Sequence, residues 1–316
     1  MTVLSAFINA ILPVFSVVII GYGLGRRGIF DGEAVHTINK LVFYALLPPF
    51  FIGLTGQAPF AEFKSVYLLA YFAVSLAINF SVVIAAYKLF GRSFHESILL
   101  GFMAGFVNHT FFILPVARVI FGADAVLPVT AVIALDMMFM YGATVVAMDC
   151  TRTAAADRSL RGTLLHVGKT VLKNPHSQAL SAGVLLNIAG VSFDNGLGVF
   201  TSFLGSAAAP CSLFSLGLFL AQQPLCPSRE NVGIVTYVSA VKLLLMPVLA
   251  FVSLSLVFQL PGNWAGPGLF VAAGPCGSLP FILATQYKVR VDAISQILLF
   301  TTFASVFTLT ASLMLQ

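Results

Sequence analysis

The chain has 316 residues, of which 59% are hydrophobic and only 9% are charged. A soluble domain carries about 25% charged residues, so this chain cannot cover a water-facing surface and is predicted to be an all-α membrane protein. Its net charge of +5 does not by itself indicate nucleic acid, because the basic residues fall in predicted loops beside the membrane. The four cysteines show no CxxC spacing, so we expect neither a disulfide framework nor a metal site.

Ten apolar stretches are each long enough to cross a bilayer, which takes about 20 residues. They cover 3–24, 35–55, 65–89, 97–121, 125–148, 176–192, 198–221, 233–258, 265–287 and 292–315. We therefore divide the chain into a first five-span repeat (1–148), a basic loop (149–175) and a second five-span repeat (176–316). Because five is an odd number, the second repeat enters the membrane in the opposite orientation, which predicts an inverted repeat.

Basic residues are concentrated in the odd-numbered loops between these spans. They are Arg26, Arg27, Lys88, Arg92, Arg152, Arg158, Arg161, Lys169, Lys173, Arg229, Lys288 and Arg290, with Lys40 on the same side. The even-numbered loops contain only Lys64. Since basic residues favour the cytoplasmic side, the asymmetry predicts a multi-pass protein of the plasma (inner) membrane with both termini outside the cytoplasm. This location explains the positive charge without a nucleic-acid partner.

The fourth span is interrupted by the polar residues Asn108, His109 and Thr110, and Pro115 follows one helical turn later. Proline lacks a backbone N–H and clashes with the carbonyl four residues earlier, so the helix should break or kink near Phe111. In hydrocarbon, freed backbone groups are tolerated only where protein or a water-filled cavity satisfies them. The pattern predicts a binding site at mid-membrane.

The ninth span is interrupted in a similar way, at Gly274-Pro275 and again at Gly277, Ser278 and Pro280. Both interrupted spans contain Phe-Ile-Leu, at 112–114 and at 281–283. Paired interrupted helices in corresponding halves of a chain indicate the substrate site of a secondary transporter.

Ionisable residues within predicted spans are functional hypotheses by default, because burying them is costly. Asp136, in the middle of the fifth span, is a candidate group for proton or sodium coupling, or else a structural carboxyl. Lys242, in the eighth span, would balance an anionic substrate, pair with Asp136 or snorkel toward the cytoplasm. Arg118 lies near the outer end of the fourth span, where snorkelling is easy, and an outer-gate contact is the alternative.

The polar residues at the interruptions suit a small carboxylate. An asparagine amide can donate to a carboxylate, and the helix that starts after the break would direct free N–H groups and its positive dipole end at the same anion. His109 is a candidate for ion coupling, because histidine side chains can exchange a proton, or else a hydrogen-bonded bystander. The predicted substrate site is Asn108, His109, Thr110, Pro115, Gly277, Ser278, Pro280 and Lys242, and the predicted ion-coupling residues are Asp136 and His109.

These motifs resemble the auxin efflux carrier family, which includes the plant PIN-FORMED carriers. Asn108–Pro115 resembles the Asn-Thr-apolar-Pro crossover of the family's fourth span, and 272–287 resembles its ninth at Pro275, Pro280, Phe281, Ala284 and Tyr287. The opening ILPVFSVVIIGYGLGRRG resembles the family's first span, and Lys173-Asn174-Pro175 resembles the start of its second half. The stretches 207–221 and 242–247 resemble its seventh and eighth spans. A short central loop, Thr285 in place of a basic residue and His109 after Asn108 are typical of the bacterial branch rather than the plant carriers.

The resemblance implies ten helices in two inverted repeats, with spans four and nine crossing at mid-membrane in a transport domain. The first, second, sixth and seventh spans would form a dimeric scaffold, against which that domain moves like an elevator. The implied function is secondary active transport of small mono- or dicarboxylates, such as malonate or malate, by alternating access. Efflux or uniport of an auxin-like aromatic carboxylate is one alternative, and an anion channel or membrane receptor is another.

We expect no enzymatic activity, because no nucleophile–base pair, His/Cys cluster or phosphate loop stands on a predicted aqueous domain. We expect no cofactor other than a coupling proton or sodium ion. The expected partners are a small carboxylate, membrane lipids and a second copy of the chain, and no nucleic acid. A channel would instead show a polar stripe or charge ring along a pore.

Overall fold

The computed structural model describes residues 3–153, 173, 175–222 and 229–315, and these residues are almost entirely helical. The helices of the first half are α1 (Val3–Arg26), α2 (Gly32–Leu41), α3 (Leu47–Gly56), α4 (Ser65–Lys88), α5 (Phe94–Gly105), α6 (Leu114–Phe121), α7 (Val126–Leu135) and α8 (Gly142–Thr153). Those of the second half are α9 (Pro175–Ile188), α10 (Gly196–Ala221), α11 (Arg229–Ala240), α12 (Met246–Phe251), α13 (Gly262–Ala272), α14 (Leu279–Gln286) and α15 (Asp292–Met314).

Single π-helical turns join several of these helices into longer rods. They are Val42–Leu46 between α2 and α3, His109–Ile113 before α6, Asp136–Tyr141 between α7 and α8, Val241–Leu245 between α11 and α12, and Val252–Val257 after α12. Three of these π turns end two residues before a proline, namely Pro48, Pro115 and Pro247. A proline removes one helical hydrogen bond and crowds the preceding turn, and a wider turn at that place relieves the crowding. The helix axis therefore continues through these prolines.

Six continuous helical rods among the described residues are long and apolar enough to cross a membrane: Gly32–Gly56, Ser65–Lys88, Val126–Thr151, Gly196–Ala221, Arg229–Val257 and Asp292–Met314. They coincide with the second, third, fifth, seventh, eighth and tenth predicted spans. The predicted fourth and ninth spans are each divided into two shorter helices. The prediction of an all-α membrane protein that crosses the bilayer several times is confirmed.

Two boundaries differ from the predicted ones. In the fifth predicted span, the helix α8 continues to Thr153 rather than ending at 148, because a helix need not end where the apolar run ends. The sixth predicted span is the helix α9, which ends at Ile188 rather than 192. Most of the predicted basic loop, residues 154–172 and 174, lies outside the described residues.

The helices pack as two bundles. In the first, called here the small bundle, α10 packs against α1, α2 and α3, and α3 also packs against α9. Close approach of α1 and α10 requires glycine, since a Cβ added at Gly21 would lie 2.3 Å from the carbonyl oxygen of Phe214. The remaining helices, α4 to α8 and α11 to α15, form the large bundle, which includes the pairs α4–α5, α11–α15 and α12–α13.

Charged residues join three segments at one end of the large bundle. Arg92 lies 3.3 Å from the Glu96 carboxylate and donates to the backbone carbonyl of Glu230 at 2.8 Å. Arg290 donates to the Glu230 carboxylate at 2.8 Å. These contacts connect the starts of α5 and α11 with the loop before α15, on the side where the sequence predicts the cytoplasm.

The two bundles meet mainly through apolar surfaces and a few polar contacts. The amide of Gln286 donates to the hydroxyl of Tyr44 at 2.9 Å. His176, on α9, contacts the backbone carbonyl of Phe43 through Nε2 at 2.6 Å and the hydroxyl of Tyr141 through Nδ1. Because a carbonyl can only accept, Nε2 carries the proton, so in the neutral ring Nδ1 accepts from Tyr141. His176 therefore links the small bundle to the large one.

Candidate functional site

The two interrupted helices cross at their interruptions. Between α5 and the π turn, Val107 pairs in antiparallel fashion with Cys276, which lies between α13 and α14. The N–H of Asn108 donates to the carbonyl of Pro275 at 3.0 Å, and the N–H of Gly277 donates to the carbonyl of Phe106 at 3.3 Å. The backbone groups freed by the two breaks thus satisfy one another inside the protein, as a membrane interior requires.

The break in the fourth span lies at 106–108, so its predicted position near Phe111 is wrong. The chain is extended at Phe106 and becomes helical again at His109. Pro115 stands in the first turn of α6, where a missing N–H does little harm, and the π turn before it absorbs the steric conflict. The pairing with the ninth span, rather than the proline, determines where the helix opens.

Glycine is required where the two segments cross. A Cβ added at Gly274 would lie 2.5 Å from the side chain of Ile113 and 2.9 Å from that of Val107. A Cβ added at Gly277 would lie 2.5 Å from the ring of Phe106 and 3.1 Å from the carbonyl oxygen of Val107. Three of these four distances are shorter than real Cβ atoms adopt, and the fourth is tight, so these glycines allow the backbones to pair.

Substituting Gly277→Ala is expected to lower the melting temperature and to disrupt the crossing, because overpacking a filled interior costs about 1–3 kcal/mol. Gly142→Ala is the matched control. A Cβ there would meet nothing within 4 Å, and alanine is the better helix former. Thermal unfolding in detergent measures both variants. If Gly277→Ala were as stable as the control, the close packing described here would be incorrect.

A pocket lies between the crossing and the small bundle. The large bundle contributes Phe106, Val107, Asn108, His109, Met137, Gly277, Ser278, Leu279 and Ile282 to its lining. The small bundle contributes Leu47, Phe50, Ala208, Ala209 and Ser212. The hydroxyls of Ser212 and Ser278 lie 3.3 Å apart, so this contact bridges the two bundles at the pocket.

Four predicted substrate-site residues line this pocket: Asn108, His109, Gly277 and Ser278. Lys242 does not line it. Its side chain is fully buried in the π turn between α11 and α12, with Nζ 3.0 Å from the sulfur of Met246. Pro280 is buried in the first turn of α14, also outside the lining.

The side chains of Thr110 and Pro115 lie outside the described part of the chain. Arg118 is exposed on α6.

His109 and Asp136 are in close contact inside the large bundle. Their Nε2 and Oδ2 atoms lie 2.8 Å apart, and their side chains are 1% and 0% exposed. The alignment is not that of a hydrogen bond, and both carboxylate oxygens of Asp136 lack a hydrogen-bond partner among the described residues. Lys242 interacts with Asp136 electrostatically at longer range. The nearest partner of Asp136 is therefore His109 rather than Lys242, the partner considered from sequence.

Sequence reasoning missed the pocket wall that the small bundle supplies. Ser212 was detectable in principle, since it is a hydroxyl in an apolar span two residues after Pro210, which lies inside α10. Phe50 carried no signal, because it is one of 30 phenylalanines in the chain. Met137 lies next to Asp136 but has no distinguishing pattern.

The arrangement can hold a small anion. Both second half-helices, the π turn that leads into α6 and the helix α14, start at the pocket. Helix starts offer unpaired N–H groups and the positive end of the helix dipole. The Asn108 amide, the Ser278 hydroxyl and the His109 ring add polar groups, while Phe50, Phe106 and Met137 supply apolar walls. These groups can donate hydrogen bonds to an anion beside an apolar wall.

Comparison with known proteins identifies the family of the chain. The family model described as "Membrane transport protein" matches residues 6–313. A "Putative malonate transporter" of Rhizobium meliloti is 27% identical over 310 residues, which cover 96% of this chain and 94% of that protein. An uncharacterised transporter of Methanothermobacter thermautotrophicus is 24% identical over 95% of both chains.

A plant relative matches over a shorter stretch. The "Probable auxin efflux carrier component 1b" of Oryza sativa is 28% identical over 141 residues, which cover 43% of this chain and 25% of that protein. The resemblance drawn from the motifs is thereby confirmed. The chain therefore belongs to the membrane transport protein family, the family of the auxin efflux carriers.

Proposed function

We propose that this protein is a secondary active transporter of small organic anions, mono- or dicarboxylates such as malonate or malate. The observation that carries the proposal is the pocket at the crossing, where Asn108, His109 and Ser278 surround one space with two helix starts. A carboxylate entering it would exchange water for amide, hydroxyl and backbone N–H donors. Discontinuous helices bind anionic substrates in this way in other transporters.

The transport cycle that we propose is alternating access by an elevator movement. Ten spans in two inverted repeats would be divided into a scaffold, the small bundle, and a transport domain, the large bundle. The pocket lies between them, so displacement of the large bundle would carry the crossing, and the anion on it, toward the other side. Few polar contacts oppose such a movement: Ser212 with Ser278, Tyr44 with Gln286, and Tyr141 with His176. We further propose a homodimer through the small bundle.

The orientation and location belong to the same proposal. We place the protein in the plasma membrane with both termini outside the cytoplasm. The distribution of basic residues supports this orientation, because the charged cluster of Arg92 and Arg290 lies at one end of the large bundle.

His109 and Asp136 are the proposed coupling residues. His109 lines the pocket and also contacts Asp136, so it joins the anion site to a buried carboxylate. A proton on His109 would add positive charge beside the arriving anion. Alternatively, the carboxylate oxygens of Asp136, which have no hydrogen-bond partner in the described chain, would accept a sodium ion. Binding of a proton or a sodium ion at these residues would couple anion transport to the gradient of that ion.

An aromatic carboxylate of the auxin type is the second candidate substrate. The rings of Phe50 and Phe106 and the side chain of Met137 favour it, because they would pack against a flat apolar body. An aromatic carboxylate would place its ring against this apolar wall, whereas a dicarboxylate would place its second carboxylate there.

Counterflow in proteoliposomes tests the proposal. A thermal-shift screen of mono- and dicarboxylates first selects a ligand, since a compound bound only to the folded state raises its stability. Vesicles preloaded with that unlabelled carboxylate should then accumulate the labelled compound faster than empty vesicles, and uptake should saturate. An anion channel would give uptake that grows linearly with concentration and no stimulation from the opposite side.

A further inference from the structure

His176 and Tyr141, whose side chains meet between the two bundles, are called here the latch. His176 is the second residue of α9 in the small bundle, and Tyr141 ends the π turn before α8 in the large bundle. Each of them is 1% exposed. The Tyr141 hydroxyl donates to Nδ1 of His176, since Nε2 carries the proton of the neutral ring. The latch is therefore a buried hydrogen bond between the bundles.

A proline explains why His176 holds its proton on Nε2. In a π turn the carbonyl of one residue accepts from the N–H five residues later, and for Phe43 that residue is Pro48, which has no N–H. The Nε2 atom of His176 lies 2.6 Å from this carbonyl oxygen and satisfies it. The same bond leaves Nδ1 as an acceptor for a donor from the other bundle.

Aromatic rings surround the latch. The centroid of the His176 ring lies 4.0 Å from that of Phe43 and 5.4 Å from that of Phe51. The Tyr141 ring lies 5.3 Å from Phe51 and 6.1 Å from Phe102, between centroids. All three phenylalanines are buried. Because the hydrogen bond is shielded in this way, separating the bundles would leave a buried donor and a buried acceptor unsatisfied, which makes the latch costly to open.

The latch lies about one helical turn from the pocket on both bundles. In the small bundle, Phe43 precedes the pocket residue Leu47 by four positions. In the large bundle, Tyr141 follows the pocket residue Met137 by four positions. Both steps lead toward the side where the distribution of basic residues places the cytoplasm. The latch therefore lies between the pocket and that side.

Two other polar contacts between the bundles are placed differently. The hydroxyls of Ser212 and Ser278 meet at the pocket itself. The bond from Gln286 to Tyr44 is exposed, so water competes for it. The latch combines complete burial with a position on the cytoplasmic side of the pocket, and it is thus the contact best placed to hold the bundles together there.

We infer that the latch closes the pocket toward the cytoplasm, and that Tyr141 must leave His176 before the anion can pass to that side. The inference rests on the proposed function, since it takes the pocket as the substrate site and displacement of the large bundle as the step that opens it. Tyr141 ends the π turn that Asp136 begins, so the latch and the proposed coupling carboxyl share one turn. His176 and Tyr141 are gating residues, which control access without holding the anion.

Cysteine labelling measures how often the latch opens. Leu47→Cys places a reporter in the pocket lining, and a charged, membrane-impermeant methanethiosulfonate is added to inside-out vesicles, so that it arrives from the cytoplasmic side. Mass spectrometry of the tryptic peptide 41–64, which contains no native cysteine, isolates this reporter. We expect Tyr141→Phe to raise the labelling rate at least fivefold, because phenylalanine keeps the ring and leaves Nδ1 of His176 without its donor.

Tyr287→Phe is the matched control. It also removes a tyrosine hydroxyl, but that hydroxyl donates to Asp149 at 2.8 Å within the large bundle. It should leave the Leu47→Cys rate unchanged.

A second variant approaches the latch from the other bundle. His176→Gln keeps a donor for the Phe43 carbonyl and removes Nδ1, so it should raise the labelling rate as Tyr141→Phe does. Combining the two substitutions should add nothing, because both remove the same hydrogen bond. If Tyr141→Phe does not fold, His176→Gln alone decides the question against the same control.

Two results would overturn the inference. An unchanged Leu47→Cys rate in the latch variants would show that the contact does not close the pocket. A rise only when the reagent is added to right-side-out vesicles would show that the latch does not face the cytoplasm. The proposed function fails separately, through absent counterflow in the unmodified protein, because labelling measures access and requires no transport.

Discussion

Asn108→Ala is expected to abolish uptake while the protein is still expressed and folded. The side chain lines the pocket and is 7% exposed. The backbone N–H that pairs with Pro275 remains in the variant, so only the amide side chain is lost. A hydrogen bond to a charged group contributes about 1.5–3 kcal/mol, which corresponds to roughly 10- to 100-fold weaker binding. Titration calorimetry and proteoliposome uptake measure the two effects.

Asn187→Ala is the matched control for this experiment. The Asn187 amide donates to the backbone carbonyls of Gly56 and Ala58 at 2.8 and 2.9 Å, beyond the end of α3 and away from the pocket. Its loss should lower the melting temperature and leave carboxylate affinity intact, the opposite of the result expected for Asn108→Ala. Wild-type uptake by Asn108→Ala would remove Asn108 from the site.

Asp136→Asn is expected to uncouple transport or to stop it. The substitution keeps the shape of the side chain but removes the ionisable carboxyl, which contacts His109 and interacts electrostatically with Lys242. Breaking a buried pair on one side typically costs about 3–5 kcal/mol. Wild-type vesicles should accumulate the carboxylate when a proton or sodium gradient is imposed, whereas the variant should at most equilibrate it. Uptake measured at several external pH values and sodium concentrations gives the comparison.

Asp149→Asn is the matched control, because it removes a carboxyl from the same helical rod, Val126–Thr151. Asp149 accepts a hydrogen bond from the Tyr287 hydroxyl at 2.8 Å, near the end of α8 and outside the pocket lining. It should keep the pH and sodium dependence of the unmodified protein. If Asp136→Asn keeps that dependence as well, Asp136 has only a structural role.

The sequence was sufficient for the class of fold and for the pairing of the two breaks. Composition alone excludes a soluble domain, and glycine and proline at Gly274, Pro275 and Gly277 mark a helix that cannot continue through that point. The position of Asn108 and Ser278 at the pocket was predictable, because polar groups at mid-membrane need a partner.

Other features depend on how distant segments pack and could not be predicted. The break opens at Phe106 because that backbone pairs with Gly277, while a π turn accommodates Pro115. Lys242 lies deep in its span, but its side chain contacts Met246 and does not line the pocket. The contact of His109 with Asp136 depends on the packing of two spans, and no local pattern encodes it.

The most direct test of this account is a structure of the protein with the selected carboxylate bound. We predict density for the carboxylate at the crossing, within hydrogen-bond distance of the Asn108 amide and the Ser278 hydroxyl. Density confined to the charged cavity between Arg92 and Arg290 at the end of the large bundle would contradict it.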